Sequence, residues 1–187
     1  VTKLTGIRSV AELLKEVENS TPAEAPLWFL PYLSGERTPH NNPEAKGAFW
    51  GLTHEHQRAD LCRAVLEGVG YALADGMDVL HATGLKPHSI TLIGGGARSA
   101  YWRQMLADIS GQTLEYRTGG DVGPALGAAR LAQIALHPNT PLAGLLPELP
   151  LEQMHKPDAA RHACYQKRRK VFKELYKVLE PLTAPTM

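Results

Sequence analysis

The sequence has 187 residues, which is enough for one domain or two small ones with an ample hydrophobic core. Its 20 Lys and Arg against 19 Asp and Glu give a formal net charge of +1, so no bulk field favours nucleic acid or a membrane as a partner. No apolar run approaches the roughly 20 residues that span a bilayer, and the N-terminus has no secretory pattern. Cys62 and Cys164 cannot build a disulfide framework, so the sequence indicates a protein of the reducing cytoplasm.

The first part of the chain predicts one helix and two short strands. Residues 9–12 fit a capping box, and apolar side chains follow on one helical face. The apolar run 27–33 is typical of a strand, although Pro31 places it at an edge or a strand end. Residues 34–43 are turn formers and charges, and residues 47–53 predict a second short strand between glycines.

Beyond residue 53 lies the longest helical pattern of the chain. Its apolar side chains recur at intervals of about four residues, with Leu66 beside them: Leu61, Val65, Val69, Leu73, Met77 and Leu80. Gly68, Gly70 and Gly76 interrupt the pattern, and each costs about 1 kcal/mol relative to alanine in a helix. Three such losses indicate a close approach to another backbone. Gly84 then ends the helix, and Pro87 prevents its resumption.

We expect the chain to be organised around residues 89–99. Ile90, Thr91 and Ile93 are β-branched and predict a buried strand that stops at three glycines. Ser99 then caps a helix with apolar side chains at helical spacing: Trp102, Met105, Leu106 and Ile109. Such a turn lets bare backbone approach a phosphate, and the free N–H groups at a helix start favour an anion. A tight turn that binds nothing is the alternative interpretation.

The last part of the chain predicts a strand at 113–117 and two further helices. The first helix begins near Asp121 and consists of small side chains that permit close packing on a sheet: Ala125, Gly127, Ala128, Ala129 and Ala132. Residues 140–157 are a proline-rich connector with at most one helical turn. Asp158 caps the final helix, whose apolar stripe is Cys164, Val171, Phe172, Leu175 and Leu179. The alternation of strands and helices predicts an α/β domain with helices packed on a mixed sheet.

Two charged clusters have simple structural interpretations. Residues 167–170, with Lys173 and Lys177, form a basic run on an amphipathic helix, and without interleaved aromatics we interpret it as a solvated face. His54 and His56 lack a third ligand nearby, so we interpret them as loop histidines and predict no metal site. The sequence contains neither a P-loop nor a nucleophile-elbow motif.

Spacing alone leaves a dinucleotide-binding protein open. Residues 94–99 nearly match the glycine fingerprint of dehydrogenases and lack only its last glycine. Glu115 ends the next strand about 20 residues further on, where the ribose-binding acid of that fold belongs. A Rossmann-type half of a dehydrogenase is therefore an alternative.

Residues 47–67 resemble the second signature of the FGGY carbohydrate kinases at every constrained position. Residues 93–104 resemble that family's adenosine-binding segment. The loop 32–43 and residues 119–129 are similar in particular to the family members that act on D-xylulose, with ribulose or another pentulose as the alternative substrate. The resemblance extends over essentially the whole chain.

The resemblance implies an actin-like, ribonuclease H-like lobe. Family members have two such lobes with the active site between them, and residues 1–187 resemble only the C-terminal, nucleotide-binding one. The abrupt start at Val1 also indicates a piece of a longer protein. The resemblance places the sugar contacts, the acids near Mg²⁺ and the catalytic aspartate in an N-terminal lobe, so it assigns no catalytic and no metal-binding residue here. The nearest contender for a base, Asp121, is better explained as a helix cap.

What the resemblance carries over is nucleotide binding. Gly94, Gly95, Gly96 and Ala97 are expected to line the adenosine and α-phosphate of ATP or ADP, with backbone N–H groups as donors. Ala100 departs from relatives that place a polar side chain there, so it is expected only to touch the adenine. The implied reaction transfers the ATP γ-phosphoryl to the 5-hydroxyl of D-xylulose with Mg²⁺, and we expect this chain alone to be inactive. A homodimer is left open.

Overall fold

The structure is a computed structural model that describes residue 6 and residues 9–120 and 123–183. In chain order its elements are α1 (Val10–Asn19), β1 (Trp28–Leu30), β2 (Ala48–Trp50), α2 (Arg58–Ala82), a 3₁₀ turn (Gly95–Arg98), α3 (Ala100–Ser110), β3 (Leu114–Arg117), α4 (Gly123–Leu136), α5 (Leu142–Leu145), β4 (Leu151–His155), α6 (Ala159–Leu179) and a last 3₁₀ turn (Glu180–Thr183). None of the described helices combines the length and the apolar composition needed to cross a membrane.

The strands form two small sheets. β1 pairs antiparallel with β2, and β3 pairs antiparallel with β4, so that Leu114 lies opposite His155. On its other side β3 meets Thr91 in a parallel bridge, in which the Leu92 amide donates to the Glu115 carbonyl over 2.8 Å. The pairing around β3 is therefore mixed, as the sequence predicted.

The prediction of a buried strand at residues 90–93 is wrong. This segment forms only the single bridge to β3, and Ile93 is 61% exposed. The segment lies at the edge of a small sheet, and a Cβ at Gly123, at the start of α4, would lie 2.9 Å from the end of the Ile93 side chain. β-Branched residues predict a strand but do not tell which elements will cover it.

The core is built around α2, which contacts β1, α1, α3 and α6. Its buried face differs from the predicted stripe, because Leu73 and Leu80 are exposed while Cys62 and Tyr71 are almost completely buried. The periodic leucines and valines misled the prediction because glycines and alanines, which carry little hydrophobic signal, form much of the contact surface. The main core cluster joins α2 to its neighbours: Leu13, Val17, Leu30, Tyr32, Ala45, Cys62, Leu66, Tyr71, Ala74, Met105, Ile109, Phe172 and Tyr176.

The glycines of α2 differ in what surrounds them. A Cβ at Gly68 would overlap the Phe29 carbonyl oxygen of β1, which confirms the predicted close approach to another backbone. At Gly70 a Cβ would lie 2.5 Å from a side-chain carbon of Ile109. A Cβ at Gly76 would meet nothing within 4 Å, so close approach does not explain this glycine.

The predicted helix starts at residues 9, 99 and 158 are confirmed. The Ser9 hydroxyl accepts from the Glu12 amide over 3.1 Å, and the Ser99 hydroxyl accepts from the Trp102 amide over 3.2 Å. The Asp158 carboxylate accepts from the Arg161 amide over 2.8 Å. Asp121 lies outside the described residues.

The helix of small side chains does not pack on a sheet as predicted. No described residue of α4 is buried, and its contacts are mainly with the short helix α5. Small side chains permit close packing, but they do not by themselves supply a surface to pack against.

The connector predicted at residues 140–157 contains one unpredicted strand. The single turn of helix α5 is present as expected, but β4 follows it and completes the sheet with β3. Four of the five β4 side chains are exposed. The strand therefore lacks the hydrophobic alternation that would reveal it in the sequence.

The basic run of α6 is solvated only in part. Lys167, Lys170 and Lys177 are exposed as predicted, whereas Arg168 and Arg169 turn towards α2. Their partners are carboxylates of α2, which the net charge of a sequence window cannot identify. The predicted apolar stripe is correct for Phe172 and Leu175, which are buried, and wrong for Cys164 and Val171, which are exposed.

Candidate functional site

The glycine turn is held in place by backbone hydrogen bonds. Gly94 has φ 93° and ψ 173°, a conformation that is essentially restricted to glycine. Its amide donates to the Gly120 carbonyl over 2.7 Å, which fastens the turn to the loop after β3. The Ala97 amide donates back to the Gly94 carbonyl over 3.0 Å and closes the turn.

The turn leaves two neighbouring amides available for a ligand. Within the described part of the chain, the N–H groups of Gly95 and Gly96 donate to no other group. Both lie just before the N-terminus of α3, where the helix dipole also favours negative charge. Unpaired N–H groups at such a position suit a phosphate.

A cavity of about 540 Å³ lies between this turn and α1. It is lined by residues of both elements: Val10, Ala11, Leu14, Lys15, Glu18, Gly95, Arg98, Ser99, Ala100 and Tyr101. A nucleoside fits a space of this size. The α1 side of the cavity, including Lys15 and Glu18, was missed by sequence reasoning because an ordinary amphipathic helix gives no sign of what its polar face borders.

The predicted nucleotide-binding residues occupy different positions around this cavity. Gly95 and Ala100 lie on its wall, and a Cβ at Gly95 would stand in open space. Gly94 lies behind it, against Gly120. A Cβ at Gly96 would overlap the ring of Trp102, and Ala97 is buried. Gly95 and Ala100 therefore line the cavity, Gly94 and Ala97 hold the turn, and Gly96 offers an amide with no partner among the described residues.

Arg103 connects the turn to the sheet. From α3 its guanidinium donates to the Ala97 carbonyl over 2.5 Å and to Nε2 of His155 on β4 over 2.9 Å. Nδ1 of His155 lies 3.2 Å from the side-chain oxygen of Gln104. Burial and, after it, the charge of Arg103 lower the pKa of His155, while the Asp108 carboxylate acts in the opposite direction. His155 is therefore neutral at neutral pH, with its proton on Nδ1.

The loop histidines have a structural role. His56 Nδ1 accepts from the Thr53 amide over 2.9 Å, and its Nε2 lies 2.9 Å from the Ala25 carbonyl. His54 is exposed. Within residues 9–120 and 123–183, no three His, Cys, Asp or Glu side chains are grouped in a way that could hold a metal ion.

Asp60 and Glu67, the two helix acids of residues 47–67, also have structural roles. Asp60 accepts from the Gln57 amide over 3.0 Å and from the Ala23 amide over 3.1 Å, so it caps α2 and anchors the preceding segment. The Glu67 carboxylate forms an ion pair with the guanidinium of Arg168 on α6, at 2.6 Å. These contacts explain why that segment carries acids on a helix with a buried face.

Three comparisons agree on the family. The sequence profile of the FGGY family of carbohydrate kinases, C-terminal domain, matches residues 3–136. The xylulose kinase of Escherichia coli K12 is 69% identical over 182 residues, which cover 97% of this chain and 38% of that protein. The chain therefore belongs to the FGGY family of carbohydrate kinases and is similar to its C-terminal domain. It spans about two fifths of the length of the xylulose kinases of Escherichia coli K12 and Klebsiella pneumoniae.

Solved structures give the same result for the fold. The xyloylose kinase from Brucella ovis superposes with a TM-score of 0.84 at 36% identity, over 97% of this chain and 37% of that one. A ligand-bound xylulose kinase from Lactobacillus acidophilus gives a TM-score of 0.79 at 30% identity, over 95% of this chain and 36% of that one. The fold is the actin-like, ribonuclease H-like lobe of these sugar kinases, as predicted.

Proposed function

We propose that this chain is the nucleotide-binding lobe of an ATP-dependent xylulose kinase. The whole enzyme would transfer the γ-phosphoryl of ATP to the 5-hydroxyl of D-xylulose and give D-xylulose 5-phosphate in the cytoplasm. The choice of D-xylulose over ribulose or another pentulose rests on the similarity to xylulose kinases. An N-terminal lobe would supply the sugar contacts, the acids near Mg²⁺ and the general base.

The observation that carries the proposal is the cavity beside the glycine turn. Gly95 and Ala100 line this cavity, and the amides of Gly95 and Gly96, which have no partner among the described residues, belong to the same turn. In the proposed complex the adenosine occupies the cavity against Ala100, and the α-phosphate accepts hydrogen bonds from the turn. The residues present therefore fit an adenine nucleotide.

The contribution of this lobe to catalysis is positioning. Phosphoryl transfer depends on holding the acceptor in line with the γ-phosphate and on stabilising the charge of the transferring group. When bound, Mg²⁺ supplies part of that charge stabilisation, held mainly by ATP and the other lobe. This chain binds the base and the α-phosphate and forms one wall of the cleft. We expect no sugar-dependent turnover from it alone.

The acid that a dinucleotide-binding site would use for the ribose, Glu115, is bound to another side chain in this structure. Glu115 forms an ion pair with Arg117 over 2.7 Å, and the carboxylate is largely buried in it. The Rossmann fold needs this acid free to accept from ribose hydroxyls. The arrangement therefore favours an adenine nucleotide of the kinase type.

Replacing Gly95 with valine is expected to weaken nucleotide binding without unfolding the chain. The new side chain would meet no protein atom at its Cβ, but it would occupy the cavity wall. We expect the affinity for ATP, measured by calorimetric titration, to fall at least about tenfold, which corresponds to about 1.4 kcal/mol.

Gly76→Ala is the matched control, since its Cβ also enters open space but far along α2 from the turn. This variant should bind ATP like the unchanged chain. Equal ATP affinity in Gly95→Val and the unchanged chain would mean that the turn is only a structural connection.

A further inference from the structure

Among the described residues, Arg103 is a buried cation whose hydrogen-bond acceptors are all neutral groups. The residue is 6% exposed, and its guanidinium lies 4.1 Å above the ring centroid of Tyr116. Its three hydrogen-bond acceptors are the Ala97 carbonyl, the side-chain oxygen of Gln153 and Nε2 of His155. A buried charge without a carboxylate partner is costly, and such groups are retained where their geometry serves a purpose.

The acceptors of Arg103 belong to two separate parts of the fold. Ala97 lies in the glycine turn, whereas Gln153 and His155 lie nearly sixty residues further on in β4. The guanidinium is a rigid planar fork, so fixing two of its nitrogens on β4 fixes the direction of the third. The third nitrogen is the one that holds the Ala97 carbonyl.

The Ala97 carbonyl helps to set the direction of the turn's free amides. The Ala97 carbonyl belongs to the rigid Ala97–Arg98 peptide, and the Ala97 amide, in the rigid peptide before it, closes the turn on the Gly94 carbonyl. Pulling the Ala97 carbonyl towards β4 therefore restricts how the preceding peptides can rotate. The amides of Gly95 and Gly96, which would bind phosphate, lie in those preceding peptides.

We propose that Arg103 is a positioning residue for the nucleotide phosphate. It holds the Ala97 carbonyl against β4 and thereby keeps the turn amides directed at the α-phosphate, with His155 as the neutral acceptor that aims the guanidinium. This inference rests on the proposed nucleotide-binding function. Arg103 does not touch the nucleotide in this account; it acts through the turn.

The test compares ADP with adenosine, which have the same base and ribose but differ in phosphate. Arg103→Lys keeps the charge but lacks the fork, so it cannot serve the three acceptors together. We expect its calorimetric affinity for ADP to fall at least about tenfold and its affinity for adenosine to change less than about twofold. Arg117→Lys is the matched control, because Arg117 also binds a loop carbonyl, that of Leu149, and does not touch the turn.

A pair of substitutions at His155 provides a second, independent test. His155→Gln keeps a neutral acceptor, so it should retain most of the ADP affinity of the unchanged chain. His155→Leu removes the acceptor, so its ADP affinity should fall several-fold. The unfolding free energy of each variant is measured in urea. Parallel losses of ADP and adenosine affinity that track stability, or no loss of ADP affinity at all, would overturn the positioning role. Failure of the unchanged chain to bind ADP would instead overturn the proposed function.

Discussion

Gly68→Ala is expected to lower the free energy of unfolding by on the order of 3 kcal/mol. The added methyl group would overlap the Phe29 carbonyl oxygen, which is backbone and cannot turn away as a side chain can. Relief requires α2 and β1 to separate, and this separation opens the second core cluster, to which Phe29 of β1 and Ala64 of α2 belong. Urea unfolding followed by circular dichroism measures the effect.

Gly76→Ala is the comparison within the same helix. Because a Cβ there meets nothing within 4 Å, the substitution should only improve helix propensity and raise the free energy of unfolding by up to about 1 kcal/mol. The two substitutions are therefore expected to change the free energy of unfolding in opposite directions. Equal effects of the two substitutions would show that β1 does not lie against α2 at Gly68.

Asp75→Ala is expected to cost about 3 to 5 kcal/mol of stability. Asp75 is 3% exposed and pairs with Arg169 of α6, which is itself buried. Removing the carboxylate leaves the guanidinium in the interior with Asp78 as its remaining acid partner, at 2.6 Å. Thermal or urea unfolding of the purified variant measures the loss.

Asp78→Ala is the control for the same arginine. The Asp78 side chain is 54% exposed, and its removal leaves the buried pair of Arg169 and Asp75 intact. Burial alone would raise the pKa of Asp78, but the hydrogen bond from Lys173 and the charge of Arg169 outweigh burial and hold that pKa below its ordinary value. We expect a loss of at most about 1 kcal/mol. A loss as large as that of Asp75→Ala would contradict the assigned difference in burial.

Local signals in the sequence predicted most of the helices. Ser9, Ser99 and Asp158 cap helices in the structure because capping depends on residues three positions apart, which a sequence shows directly. Gly68 was likewise predicted to mark a close backbone approach. The glycine turn at residues 94–97 was predicted as a turn before a helix, and it is one.

The features that the sequence did not predict depend on contacts between segments that are distant in the chain. β4 exists because Leu114–Arg117 offers it hydrogen bonds, not because its own side chains alternate. Arg168 and Arg169 face inward because acids of α2 lie opposite them. The α1 wall of the cavity and the link from Arg103 to His155 also join segments that are far apart in the chain. No local pattern encodes such pairings.

The proposed function requires the cavity beside the glycine turn to bind an adenine nucleotide of the kinase type. Calorimetric titration of this chain with ATP and, separately, with NAD tests this requirement. We predict saturable binding of one ATP per chain, weakened by Gly95→Val, and no binding of NAD at the same concentrations. The affinity for ATP will be modest, because the other lobe would hold the remaining phosphate and metal contacts. Saturable binding of NAD with no response to ATP would contradict the account.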